Sequence, residues 1–279
     1  VASGFDLRKI KVTIDLGTDI LVFEEPLAIT VAGTNYANSL QNEAEIIIEN
    51  LSASVQNYIL TGVTPFNKNY LPKSVRVEAG REKYGTSVVY EGNVVEGTCS
   101  DPPDIGVSLK CLTGNYALGN LVNRSMGGTV SLKVIAQQIA NDNAVVLKFD
   151  AENRNLPGYS FSGPALDQVY AMNNFGGIDA FIDDGVLYVK DGLVQTRGQV
   201  ITQINKDTGM IGIPQLTEEG VKIKFLFDPK VKLGAGIVLT TVQYPELNGE
   251  YVIYRLGFQL TTRENPFYYI ADCKRASYK

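Results

Sequence analysis

Residues 208–239 read TGMIGIPQLTEEGVKIKFLFDPKVKLGAGIVL, and the punctuation of this stretch decides the fold class. Gly209, Gly212 and Pro214 break the chain early, and Asp228-Pro229 breaks it again, because Gly and Pro supply turn dihedrals that other residues avoid. Between the breaks Val221, Ile223, Phe225 and Phe227 alternate with Lys222, Lys224 and Leu226, the period of a strand with one packed face. The reading is strand, Pro turn, strand, Asp-Pro turn, strand. Phe225 and Phe227 share a face with Val221 and Ile223, which assigns them to a core and not to a ligand platform.

The same style extends in both directions. Ile10, Val12, Ile14 and Leu16 alternate with Lys11, Thr13 and Asp15, and Gly17-Thr18-Asp19 turns the chain into strands at 20–23 and 27–31 around Pro26. Further short strands are predicted at 45–49, 74–79, 87–96 and 107–112, with 51–61 either a short helix or an irregular crossing and 65–72 a loop. This is an all-β unit, a curved sheet or a barrel. After Asn115 the pattern changes. Leu132, Ile135, Ala136 and Ile139 form one face of a helix over 131–142, started by Thr129 or Ser131, whose hydroxyls accept from a first-turn N–H. A strand at 144–149 follows, then a Gly/Pro/Asn-rich connection. A second helix begins near Pro164, with Leu166, Val169 and Tyr170 as its stripe. Asp184-Gly185 marks a hairpin within 177–192. Strands return at 200–205, 209–213, 221–227, 237–244, 251–260 and 267–273. The predicted organisation is a β domain over 1–115, an α+β insert over 116–198 and a second β domain over 199–279, the second β block either standing as its own domain or completing the first around the insert. No short-period repeat is present, but the likeness of the two β blocks points to internal duplication.

Composition narrows the chemistry. The chain has 279 residues, 44% hydrophobic and 20% charged, enough to bury a large core. Its 25 basic and 30 acidic residues give a net charge of -5, which is no general nucleic-acid footprint. There is no histidine, so Ser-His-Asp and Cys-His nucleophile systems are excluded, while carboxylate-only hydrolysis and oxygen-ligand Mg or Ca sites remain open. No stretch is long and apolar enough to span a bilayer, and no basic-then-apolar leader opens the sequence. Cys99, Cys111 and Cys273 read as small buried thiols, although Cys99 and Cys111 can pair if their strands are adjacent. The sequons at Asn50 and Asn123 carry no weight without a secretory context.

Asp183-Asp184, with Asp179 nearby, is the one arrangement that resembles a metal or carboxylate site. Adjacent strand residues point to opposite faces, however, and Asp184-Gly185 is preferred turn chemistry. A basic-leaning stretch contains Asn67, Tyr70, Lys73, Arg76, Arg81, Lys83 and Tyr84, but Glu78 and Glu82 interrupt it, so a solvated face is the default. The basic, aromatic tail CKRASYK (273–279) is either a partner contact or a loose end. Gly127-Gly128 and 234–236 lack the Lys-Ser/Thr of a phosphate loop. The sequence therefore assigns no catalytic, cofactor-binding or metal-ligating residue.

Residues 208–214, Glu219-Gly220-Val221, 225–229 and Leu233-Gly234 together resemble the central baseplate hub proteins of contractile-tailed bacteriophages, whose relatives occur in other contractile injection machines. LKVIAQQIANDNAVVLKFD (132–150) and LDQVYAMNNFGGIDAFIDDGVLYV (166–189) look like the small α/β insert of such hubs. The resemblance implies a mainly β fold of two related β-barrel, tube-type domains with a small α/β unit. It implies a non-enzymatic virion protein of the tail baseplate, without cofactor. Its partners are expected to be two further copies in a trimeric pseudo-sixfold ring, the tail tube, the central cell-puncturing spike and other baseplate subunits. Membrane insertion and specific nucleic-acid binding are not expected. The rival reading is a monomeric carbohydrate-binding or spike-like β module of a phage tail, and a hydrolase with a carboxylate pair across a groove is more distant.

Overall fold

The alternating pattern of the first block becomes β1 (Arg8–Asp15), β2 (Ile20–Phe23), β3 (Ile29–Tyr36), β4 (Glu43–Glu49), β5 (Ser74–Arg81), β6 (Gly85–Cys99) and β7 (Gly106–Leu112). In this computed structural model, residues 6–37, 41–64, 73–100, 105–114, 119–175, 177–196, 198, 201–263 and 265–276 are described. Ile10, Val12 and Ile14 are buried on one face of β1. Lys11 and Thr13 stay partly open on the other. Residues 51–61 resolve largely as a helix, α1 (Ala53–Val63), started by Ser52, whose Oγ accepts from the Val55 N–H at 3.4 Å. Gly97 of β6 admits this helix, because a Cβ there would lie 2.9 Å from a Val63 methyl.

The middle of the chain forms β8 (Leu121–Ser131), α2 (Leu132–Asp142), β9 (Val146–Phe149), β10 (Asn155–Pro164), α3 (Ala165–Met172), β11 (Ile178–Asp183) and β12 (Val186–Asp191). Ser131 caps α2 by accepting from the Val134 N–H at 3.4 Å. Pro164 sits at the cap of α3, just before its first turn. Asp184 and Gly185 both adopt left-handed φ, 48° and 73°, as a tight hairpin turn requires. β9 joins the β11–β12 hairpin in parallel, and α2 and α3 cover this sheet around Leu132, Ile135, Ile139, Val169, Met172, Leu187 and Val189. One expectation fails. Part of the Gly/Pro/Asn-rich connection is strand β10, paired antiparallel with β8 in a two-stranded ribbon. Such a ribbon has open edges, so Pro157 loses no ladder partner, and the ladder is irregular between Pro157 and Tyr159.

The last block contributes β13 (Thr202–Ile204), β14 (Gln215–Leu216), β15 (Gly220–Leu226), β16 (Gly236–Leu239), β17 (Gly249–Thr261) and β18 (Phe267–Arg275). First and last blocks merge into one 13-stranded sheet, ordered β14-β15-β18-β17-β3-β4-β7-β6-β5-β1-β2, with β16 on β17 and β13 on β16. Among the described residues no sheet closes into a barrel, so the mainly β expectation holds while two barrels are not confirmed. The reason lies in β17. Its first residues pair with β16, and Arg255 to Thr261 pair along the same side with β3 of the first block. The strand edge on which the second block would close is thus occupied by the first. A single hydrophobic core, from Ile10 to Cys273, underlies both blocks.

Candidate assembly interface

The two β blocks repeat each other residue by residue. The β6–β7 ladder has a bulge after Val94↔Cys111 and resumes at Glu96↔Lys110. The β17–β18 ladder has one after Ile253↔Cys273 and resumes at Arg255↔Asp272. β4 and β15 then lie on β7 and β18 in the same register, Ala44↔Cys111 and Val221↔Cys273. One strand further out, Gly33↔Ala44 of β3 matches Leu216↔Val221 of β14. Even an irregular bond recurs: the Val94 N–H donates to Lys73 O at 2.9 Å, and the Ile253 N–H to Ala235 O at 3.0 Å. Burial agrees, with Ile46, Ile48, Leu109 and Cys111 matched by Ile223, Phe225, Ala271 and Cys273. The cross-strand ion pair after the bulge keeps its place but reverses its polarity, Glu96–Lys110 at 2.9 Å against Arg255–Asp272 at 3.1 Å. The correspondence ends at the rim, where β1 is antiparallel to β5 while β13 runs parallel to β16.

This repeat leaves two edges unused. β3 fills the outer edge of β17, but among the described residues no strand lies on the equivalent edge of β6 beyond Asn93. Nor does any described strand lie on the outer side of β14, the counterpart of β3. Leu216 of β14 is 77% exposed, and Ile213 and Tyr244 are exposed beside it. These side chains, with Pro214 and Leu247, line an apolar groove of about 580 Å³. On the sheet face opposite the core, Thr34, Glu45, Lys110, Lys222, Arg255 and Asp272 line a hollow of about 610 Å³. Strand alternation places these charged and polar side chains on this face, together with the apolar Ala32, Val95 and Ile270.

The middle unit docks on the sheet through the tip of its hairpin. Asp183 ends β11 and is buried; its Oδ1 accepts from Asn42 Nδ2 at 3.1 Å and Asn35 Nδ2 at 3.3 Å. Asp184 pairs with Lys232 at 3.1 Å, and the same ammonium donates to Val88 O. Burial, then the neighbouring Asp184, push the Asp183 carboxyl up to about 8, against the pull of Lys232 and Asn42. The aspartates are therefore a docking pin. Asp179 is engaged separately by Lys190 at 2.6 Å. Among the described residues no group of three or more His, Cys, Asp or Glu gathers as a metal site.

Other sequence candidates also find places. β6 and β7 are neighbours, but Cys99 faces Val107 and Cys111 faces Val94, so both thiols stay free. Lys73 is buried and donates to Leu16 O, Arg76 pairs with Glu78 at 3.4 Å, and Arg81 donates to Asp6 O at 3.0 Å. Asn67 and Tyr70 lie outside the described residues. The start of CKRASYK is not a tail: Cys273, Lys274 and Arg275 belong to β18, and Lys274 pairs with Glu219 at 3.2 Å. In the Asp-Pro turn, Phe227 packs on Phe267 and Tyr269, the core role expected of it.

This fold is shared with solved tail proteins. A 43 kDa tail protein of prophage MuSo2 from Shewanella oneidensis superposes with TM-score 0.65 at 10% identity, over 96% of this chain and 98% of that one. A tail protein from Neisseria meningitidis MC58 gives 0.65 at 9% identity, over 95% and 96%. The E. coli c3393 protein, a type VI secretion component described as similar to the T4 tail proteins gp27 and gp5, gives 0.59 at 11%, over 90% and 74%. No curated protein sequence matches. The sequence profile of the family described as "Baseplate hub gp41" matches residues 9–273, and the chain belongs to that family. It is a structural protein of the phage tail baseplate, as the resemblance in residues 208–239 implied.

Proposed function

We propose that the protein forms a trimeric, pseudo-sixfold ring that connects the tail tube to the central spike of a contractile tail. One observation carries this reading: each chain holds two blocks in matching register, so three chains supply six equivalent units. Residues 1–115 and 199–279 are the two ring units and 116–198 the insert. The polar sheet face lines the lumen, while the apolar face is already consumed by the shared core. Tube, spike and neighbouring baseplate proteins dock on the two flat sides of the ring. The likeness to type VI secretion proteins, among them a VgrG complex, supports a place beside a spike. The chain has no catalytic role here, because its chemistry is rigidity: strands paired on both sides present few open edges.

Light scattering across a concentration series tests the ring. A mass of three chains, with a closed annulus in electron micrographs, is the expected result. A mass that remains that of one chain at every concentration, also in the presence of tube protein, would sink it.

A further inference from the structure

We propose that β14 of one copy adds as an antiparallel strand to the open edge of β6 in the next copy, placing Leu216 directly opposite Cys99. The inference rests on the ring reading and supplies its joint. The template is inside the chain. At the join of the two blocks, β3 lies on β17 with Gly33 opposite Phe258. The matching ladders make β14 the counterpart of β3, with Leu216 in the place of Gly33. They make the end of β6 the counterpart of β17, with Cys99 in the place of Phe258, since Cys99 faces Val107 as Phe258 faces Tyr269. The two edges left open are therefore the two halves of the join already made once within the chain.

Side-chain size supports the same pairing. Within the chain a large ring covers a glycine, and a Cβ on Gly33 would lie 2.5 Å from Phe258 Cζ. Between chains the sizes are reversed, with the large Leu216 against the small Cys99. Both are exposed in the single chain and become covered together. The same register brings Gln215 opposite Ser100 and Thr217 opposite Thr98, polar pairs suited to a rim. Glu96 and Glu219 approach one another at the far end, but each already holds its own lysine, Lys110 at 2.9 Å and Lys274 at 3.2 Å. The backbone is prepared for pairing, because the chain around Met210 and Leu216 already follows β15.

The test uses the native thiol. Directly opposed residues of antiparallel strands have Cα atoms about 4.5–5.5 Å apart, within the range of roughly 4.4–6.8 Å that a disulfide spans. Full-length Leu216→Cys, mildly oxidised, should form a covalent trimer as its largest species on a non-reducing gel. Adding Cys99→Ser should abolish it, and Leu226→Cys, exposed but off the joint, should not produce it. Leu216→Asp should lower the scattered mass from three chains to one while the single chain still unfolds in one cooperative, concentration-independent transition. A trimer by scattering without a Cys99-dependent cross-link overturns the joint and leaves the ring standing. A Cys99-dependent ladder running past three chains upholds the joint and overturns the closed ring. Monomers without any cross-link at every concentration overturn both.

Discussion

Asp183 shows how much one carboxyl group can couple. Its pKa is raised to about 8 by burial and by Asp184, so the native state keeps a proton that the unfolded chain releases above about pH 4. Between those values the native state binds more protons, so this group's contribution to stability falls as pH rises and levels off above about 8. Asp183→Asn retains an oxygen for Asn35 and Asn42 and cannot ionise. Chemical unfolding from pH 5 to 9 should show the variant gaining on the parent until about pH 8, then running parallel to it. A constant difference over the whole range would count against the buried, protonated carboxyl. The Asp184-Gly185 turn is legible in sequence because its cause is local, two left-handed residues between alternating strands. The pin is not. Asn42 and Asn35 lie 141 and 148 residues from Asp183, and no spacing rule joins them.

Elements were legible where their signals lie within a few residues. The α2 stripe and its Ser131 cap are read directly, and Ser131→Ala should cost about 1 kcal/mol in urea unfolding, because the first turn loses an acceptor. β10 escapes because Pro157, Gly158 and Gly163 carry loop chemistry, yet the pairing with β8 tolerates them. The Cys99–Cys111 question needs register and not adjacency, and a bulge between Val94 and Glu96 alters that register. The join of β3 to β17 depends on a glycine. A side chain on Gly33 would meet both Glu43 O at 2.4 Å and the Phe258 ring. Gly33→Val should therefore cost roughly 1–3 kcal/mol in urea unfolding, an overpacking penalty that the paired strands cannot relax away. A neutral result would mean that the join yields more readily than its geometry indicates.

At the scale of the molecule, the chain holds two cores, and two cooperative bodies are the expected outcome. The large core spans both β blocks, and the smaller one lies under α2 and α3. Native-state hydrogen exchange in urea should show amides around Ile135, Ile139 and Val189 opening at a lower energy than those of β17 and β7, because they rest on fewer buried side chains. Identical opening energies and slopes would indicate one body. The two β blocks are visible in the alternation of the sequence, and so is their likeness. That the second block completes the first around an inserted middle unit is open to reading in the sequence, but the joining strand is not, because the join depends on β17 being long enough to serve β16 and β3 together.

The paired positions of Cys111 and Cys273 have a practical consequence. Each block carries one thiol at the same ladder site, buried and pushed upward by desolvation, Cys111 to about 12. Neither can react with an alkylating reagent until its own strands part. Cys99 is exposed in the single chain and, in the Leu216→Asp monomer, marks the unprotected rate. Timed alkylation followed by peptide mass spectrometry thus turns the duplicated cysteines into two clocks in one chain, reporting how often each half of the hub breathes.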